Sequence, residues 1–103
     1  MSKRIAIIQG HPDPQGNHFG HALASAYRDS ATNAGHQTET ITVAQLNYSF
    51  LRSKEEFGTS VPPVDIQNAQ TILQQADHWV IFYPLWLGSM PAILKAFLEQ
   101  VFR

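Results

Sequence analysis

Apolar side chains recur along this chain with a period that changes from one stretch to the next. Residues 4–9, "RIAIIQ", are β-branched and apolar, and Gly10, Pro12 and Pro14 end the run, which predicts a buried first strand. From Phe19 the period becomes helical: Phe19, Ala22, Leu23, Ala26, Tyr27 and Ala34 share a face. Asn17 or His18 is the candidate N-cap, and Gly35 is the stop. "QTETITV" (37–43) then alternates, Thr38, Thr40 and Thr42 on one side against Glu39, Ile41 and Val43 on the other, as suits a sheet edge. Residues 44–64, with the Pro62–Pro63 pair, read as irregular. Asp65 caps a short helix that carries Ile66, Ala69, Leu73 and Ala76 on one side. "HWVIFYP" (78–84) is nearly all apolar, the signature of a strand covered on both faces. Pro91, in the first turn, opens a final helix with Ile93, Leu94, Phe97, Leu98, Val101 and Phe102.

The order β-α-β-α-β-α implies an α/β fold with parallel strands and right-handed crossovers. In the doubly wound arrangement whose sheet begins 2-1-3, strand 79–83 becomes the open edge of a three-stranded sheet. An apolar open edge is a liability that natural sheets cover. The last helix also runs to Arg103 with no Gly, Asn or Pro behind it. Both features predict that residues 1–103 are the N-terminal portion of a larger domain, or that another chain completes the sheet.

Composition narrows the function. Hydrophobic residues make up 44% and aromatics 11% of 103 residues, enough for one packed domain. Seven Lys+Arg against eight Asp+Glu leave a formal charge of -1 and no basic stripe, which argues against nucleic acid. Cysteine is absent, excluding disulfides, thiolate metal sites and cysteine nucleophiles, and fitting a reducing compartment. No stretch has the length of a membrane helix, and the first apolar run is too short for a signal peptide. The expectation is a soluble, cytoplasmic protein.

The loop "GHPDPQGNHFGH" (10–21) joins strand 1 to helix 1, where doubly wound folds bind ligands. Its glycines miss the dinucleotide fingerprint, and no Gly-Lys-Ser/Thr follows, so it is not a P-loop. What remains is a polar loop feeding a helix N-terminus, suited to a phosphate; an ordinary loop with a capped helix has the same signature. His11, His18, His21 and Asp13 invite a metal reading, and His11, Pro12 and Asp13 resemble the His-Pro-Asp-Asp motif of zinc-dependent deacetylases. Pro14 stands where that family has its second, metal-binding Asp, and His36 and His78 stand alone, so no metal site is expected. No Gly-x-Ser-x-Gly elbow exists. In "YPLWLGSMPAILKAF" (83–97), Pro84, Leu85, Trp86, Leu87 and Gly88 follow strand 3 on the same sheet edge. The 2-1-3 order makes the two loops neighbours, and an anionic tail with a flat apolar head, as in flavin, fits the pair. Packing of Trp86 and Leu87 against the last helix is the competing explanation.

"GHPDP...NHFGHAL", "TVAQLNYSF...EEF" and "ADHWVIFYPLWLGSMPAILKAFLEQVF" together resemble the NAD(P)H:quinone oxidoreductases of flavodoxin-like fold, which include quinone reductases and the ancillary oxidoreductases of potassium-efflux systems. The resemblance runs over nearly the whole chain, and Pro-Leu-Trp-x-x-x-Met-Pro-Ala-x-Leu-Lys is its most specific segment. It implies that His11, Asn17, His18 and Phe19 hold the phosphate and ribityl region of FAD or FMN. It implies that Pro84, Leu85, Trp86, Leu87 and Gly88 lie along the isoalloxazine ring. It further implies a dimer that passes a hydride from NAD(P)H through the flavin to a quinone. The spacing from Pro14 to Phe19 is about two residues longer than the commonest family form, which leaves the counterpart of the family's small hydroxyl residue open at His18. Family chains run well past this length, and their hydride-site side chains lie largely in that further part, so no catalytic residue transfers and this chain alone is expected to be weak or inactive. The alternatives are a regulatory or interaction subunit of a transport system, using the apolar edge at 79–83, and an electron-carrier flavodoxin, for which a charge of -1 is a poor match.

Overall fold

The computed structural model describes residues 2–103. Three parallel strands, β1 (Arg4–Gln9), β2 (Gln37–Thr42) and β3 (His78–Phe82), form a sheet in the order β2-β1-β3. The helices are α1 (Phe19–Asn33), α2 (Lys54–Thr59), α3 (Val64–Gln75) and α4 (Ala92–Val101). The expected α/β order and 2-1-3 sheet are therefore present.

Being central, β1 is buried from Ile5 to Gln9, and its alternation divides the core in two. Ala6 and Ile8 face Ile66, Ala69 and Leu73 of α3 and Leu94, Phe97 and Val101 of α4, joined by Ile41 and Val43. Ile5 and Ile7 face the other way, onto Ala24, Tyr27 and Ala31 of α1 with Val80 and Phe82. Gly10 ends β1 against α4: a Cβ there would lie 2.8 Å from Leu94 Cδ2, and Leu94 is fully buried. Its amide donates to Phe82 O at 2.7 Å, fixing the exit of β1 against that of β3.

Helix ends follow the local chemistry. Gly35 (φ +92) follows the Ala34 C-cap of α1; its amide donates to Thr32 O and that of His36 to Ala31 O, closing a Schellman motif. Three boundaries differ from expectation. The N-cap of α3 is Pro63, not Asp65, because Asp65 Oδ2 is taken by the Asn47 amide at 2.7 Å. Pro91 is likewise the N-cap of α4 rather than part of its first turn. Residues 44–64 are not wholly irregular: a 3-10 turn spans Val43–Gln45, and Ser53 caps α2 by accepting the Glu56 amide. That segment is tied to α4 by Tyr48 Oη donating to Ile93 O (2.8 Å) and Gln100 Nε2 to Ser49 O (2.7 Å), and to the residue after its C-cap by Arg103 Nη1 donating to Glu56 O (2.6 Å).

The strand read as covered on both faces is only partly so. β3 is a sheet edge, and Trp79 and Ile81 are exposed. Trp79 is held by its Nε1–H to Leu73 O at 3.0 Å and by stacking on Phe102.

Candidate functional site

The carboxyl ends of β1 and β3 open into two loops, 10–18 and 83–91, that meet over the sheet edge. Four amides in or entering the first loop are satisfied by side chains. His11 N–H donates to Gln9 Oε1 (3.0 Å), Asp13 N–H to His11 Nδ1 (3.0 Å), Gln15 N–H to Asp13 Oδ1 (2.9 Å) and His18 N–H to His21 Nδ1 (3.3 Å). Gln9 is buried and spends its Nε2 on Gly20 O (3.3 Å), so β1 and the start of α1 are braced through one amide side chain. Asp13 Oδ2 lies 2.8 Å from His18 Nε2.

Three imidazoles gather where this loop meets α1. The His11 ring stacks on His18 with centroids 4.1 Å apart and planes 13° from parallel; His21 lies 5.0 Å from His11 and 5.6 Å from His18. Burial, and then electrostatic interaction with His18 and His21, push the His11 pKa below its ordinary value, partly offset by Asp13. The bond from the Gln15 amide, and next the one from His18, hold the Asp13 carboxyl below the usual carboxylate range. Among the described residues no three His, Asp or Glu side chains are arranged to hold a metal ion. Asp13 instead pairs with His18, and Nδ1 of His11 and of His21 each accept a backbone amide.

The second loop contains a tight turn. Trp86 N–H donates to Ser89 O (2.8 Å) and Ser89 N–H to Trp86 O (3.1 Å), closing it around Leu87 and Gly88. Both central residues have positive φ, +53 at Leu87 and +77 at Gly88, the geometry of a type I′ turn. Glycine adopts it freely, whereas leucine pays a steric cost of about 1–2 kcal/mol. The turn leaves Leu87 fully exposed and Trp86 51% exposed, so neither is packed as core. Behind them Pro91 is buried and Met90 packs on the core.

His11 joins the two loops: its ring meets that of Trp86 edge-on, centroids 6.1 Å apart. Of the residues singled out in the sequence, His11, His18 and Trp86 are thus brought together, with Leu87 and Gly88 in the same turn as Trp86. Phe19 and Leu85 are strongly exposed and Asn17 is exposed at the rim, outside the ring contacts found among the described residues. Gln9 and Ser89 were not foreseen, and His21 entered the sequence reading only among the histidines weighed for a metal. His21 carried a signal, since three residues after a candidate N-cap is where a side chain reaches back to the cap amide. A cleft of about 210 Å³ borders this region, with His21, Ser25 and Arg28 of α1 facing Thr40 and Thr42 of β2. A larger one, about 400 Å³, lies at the amino end of β1 and β2, away from the edge where parallel sheets bind ligands.

Comparison with known proteins agrees with this architecture. The family described as flavodoxin-like fold matches residues 3–103. A Haemophilus influenzae protein named as an uncharacterized NAD(P)H oxidoreductase is 32% identical over 98 residues, which cover 92% of this chain and 48% of that one. The solved NAD(P)H:quinone oxidoreductase from Methanothermobacter marburgensis superimposes with a TM-score of 0.81 at 26% identity, over 99% of this chain and 54% of its own. A putative quinone reductase from Klebsiella pneumoniae gives 0.76 at 25% identity, over 97% and 45%. The chain spans about half the length of these relatives. Among the described residues no helix is long and apolar enough to cross a membrane. With the 2-1-3 parallel sheet and a family match over all but the first two residues, the chain belongs to the flavodoxin-like family, among proteins named as NAD(P)H oxidoreductases and quinone reductases.

Proposed function

We propose that this chain is the amino-terminal portion of a flavin-binding domain of a cytoplasmic, dimeric NAD(P)H:quinone oxidoreductase, with His11, Asn17, His18 and Phe19 toward the flavin phosphate and Pro84, Leu85, Trp86, Leu87 and Gly88 along the ring. The observation that carries this reading is the His11–Trp86 contact, which joins a polar loop to an apolar shelf at the carboxyl edge of the sheet.

The residues present fit such a group. Leu85, Trp86 and Leu87 offer exposed apolar surface for a flat ring, and the Leu87 and Gly88 amides have no backbone acceptor among the described residues, leaving donors for a polar rim. The first turn of α1 carries no acidic residue, and its Phe19 and Gly20 amides are likewise without a backbone acceptor, which favours an anion at that helix end. Bound there, FMN or FAD would supply hydride acceptance from NAD(P)H and donation to a quinone. The chain's own task is to orient the ring on Trp86 and Leu87 and to hold the anionic end over α1.

The purified protein should absorb in the visible and release FMN or FAD on denaturation, and assay with NADH, NADPH and a simple quinone should then give turnover, weak in this chain alone. A colourless protein that leaves FMN and FAD fluorescence unquenched would sink the reading. A partner-binding role in a transport system is favoured by a different observation, the exposed Trp79 and Ile81 on the β3 edge; it is distinguished by co-purification of a transporter with protein that holds no flavin.

A further inference from the structure

We infer that His21, together with His11, positions the loop at the anion end of the site, and that both rings do so only in their neutral form. This inference rests on the flavin reading solely for the ligand that the loop serves. Each ring accepts a backbone amide through Nδ1: His11 from Asp13 and His21 from His18. An accepting Nδ1 carries no proton, so the proton of each neutral ring sits on Nε2. Protonation would turn both acceptors into donors that face another N–H. Two of the four amides held by side chains in this loop would lose their partners together.

The surroundings reinforce the neutral form of His11. Of the charged and titratable groups that face the pair, the loop contributes His18, stacked on His11, and Asp13, whose carboxylate is already bonded to the Gln15 amide and His18. Helix α1 contributes Arg28, which borders the same cleft as His21 and pairs with Asp29 at 3.6 Å. From β1 comes only the neutral Gln9, from β2 the hydroxyls of Thr40 and Thr42, and from the second loop the edge of Trp86. His21 Nε2 is shielded and has no hydrogen-bond partner among the described residues.

The sign follows. A histidine whose pKa is lowered in the ordered loop, as that of His11 is, supports the order above the ordinary value of 6.5, and the support is lost as pH falls below it through the lowered value. Phosphate binding to this loop should therefore weaken in acid. A site that used its histidines simply as cations would strengthen.

The test compares amide exchange protection of Asp13 and His18 by NMR at roughly pH 7.5 and pH 5.5. In the wild-type chain both should lose about tenfold in protection on acidification, the loss of a hydrogen bond of ordinary net strength. Asparagine puts a non-titrating acceptor near the place of Nδ1. His21→Asn should keep the His18 amide protected at both pH values and His11→Asn the Asp13 amide, whereas His21→Ala should lose the His18 protection at both. Wild-type protection that is flat with pH, or Asn variants that lose it in acid as the wild type does, overturns the inference. The fall in FMN affinity from roughly pH 7.5 to pH 5.5, followed by fluorescence quenching and scaled for each protein to its own value at the higher pH, should be steeper in the wild type than in His21→Asn, because protonation of the FMN phosphate acts equally on both; equal falls also overturn it. Absence of FMN binding at every pH, with the amide pattern intact, counts against the flavin reading alone.

Discussion

The ring of His11 meets that of Trp86 edge-on at 6.1 Å, although the two residues leave different strands of the sheet. His11 is 8% exposed and Trp86 51%, so the contact sets a buried polar ring against the base of an open apolar shelf. The contact directs the first prediction. Trp86→Ala should weaken FMN binding roughly tenfold, or about 1.4 kcal/mol, while stability in urea changes by less than about 1 kcal/mol because the ring is half in water. Unchanged FMN affinity would remove Trp86 from the ring surface.

Leu87 and Gly88 share positive φ but not its cost. Leu87→Gly should relieve about 1–2 kcal/mol of backbone strain against roughly 0.5–1 kcal/mol of added unfolded-state freedom, leaving the protein as stable or slightly more so. Gly88→Ala meets no atom within 4 Å, so its cost, about 1 kcal/mol, comes from the φ of +77 alone. Urea midpoints for the two variants should move in opposite directions or only the second should fall.

Gly10→Ala drives a methyl to 2.8 Å from Leu94 Cδ2 and 3.1 Å from Cδ1. Leu94 has no room to withdraw, so overpacking should destabilise by about 1–3 kcal/mol. Adding Leu94→Val should make the double variant less unstable than the sum of the two singles. Strict additivity would mean that the clash relaxes elsewhere.

Tyr48 gives a pH signature at the alkaline end. Burial raises its pKa from 10.0 to about 12. The folded state therefore favours the neutral phenol; that contribution is complete below pH 10 and is lost as pH rises from 10 toward 12. Tyr48→Phe forfeits the bond to Ile93 O, about 1 kcal/mol near neutral pH, and should flatten the alkaline loss of stability. An alkaline slope that survives the substitution must come from another group.

The sheet was legible because β1 is apolar without a break from Ile5 to Ile8, β2 alternates with its threonines, and Gly35 stops α1 where its φ of +92 favours glycine. The caps of α3 and α4 misled because Asp65 and Pro91 fit a cap and a first turn equally well on local grounds; the distant Asn47 amide takes the Asp65 carboxylate. Helix α2 was hidden by its six-residue length, too short for a period to register. At the site, the apolar run Leu85–Leu87 showed an oddity at a strand exit, but only the closed Trp86–Ser89 turn explains how it stays exposed. The His21 bond to the His18 amide needed coordinates, since the same spacing serves an ordinary helical turn.

The pairing of β1 with β3 bears on how the site comes into being. β1 and β2 close over a single helix, but the bond from the Arg4 amide to Asp77 joins residues 73 apart in the chain. Closing that longer stretch costs more entropy, and its contacts give nothing back until α3 and β3 have arrived. The loop at His11 can thus take shape with the first half of the sheet, whereas the shelf at Trp86 has no neighbour to lean on until the last strand docks. On sequence separation alone, the polar half of the site is expected to take shape before the apolar half, with the His11–Trp86 edge among the later contacts.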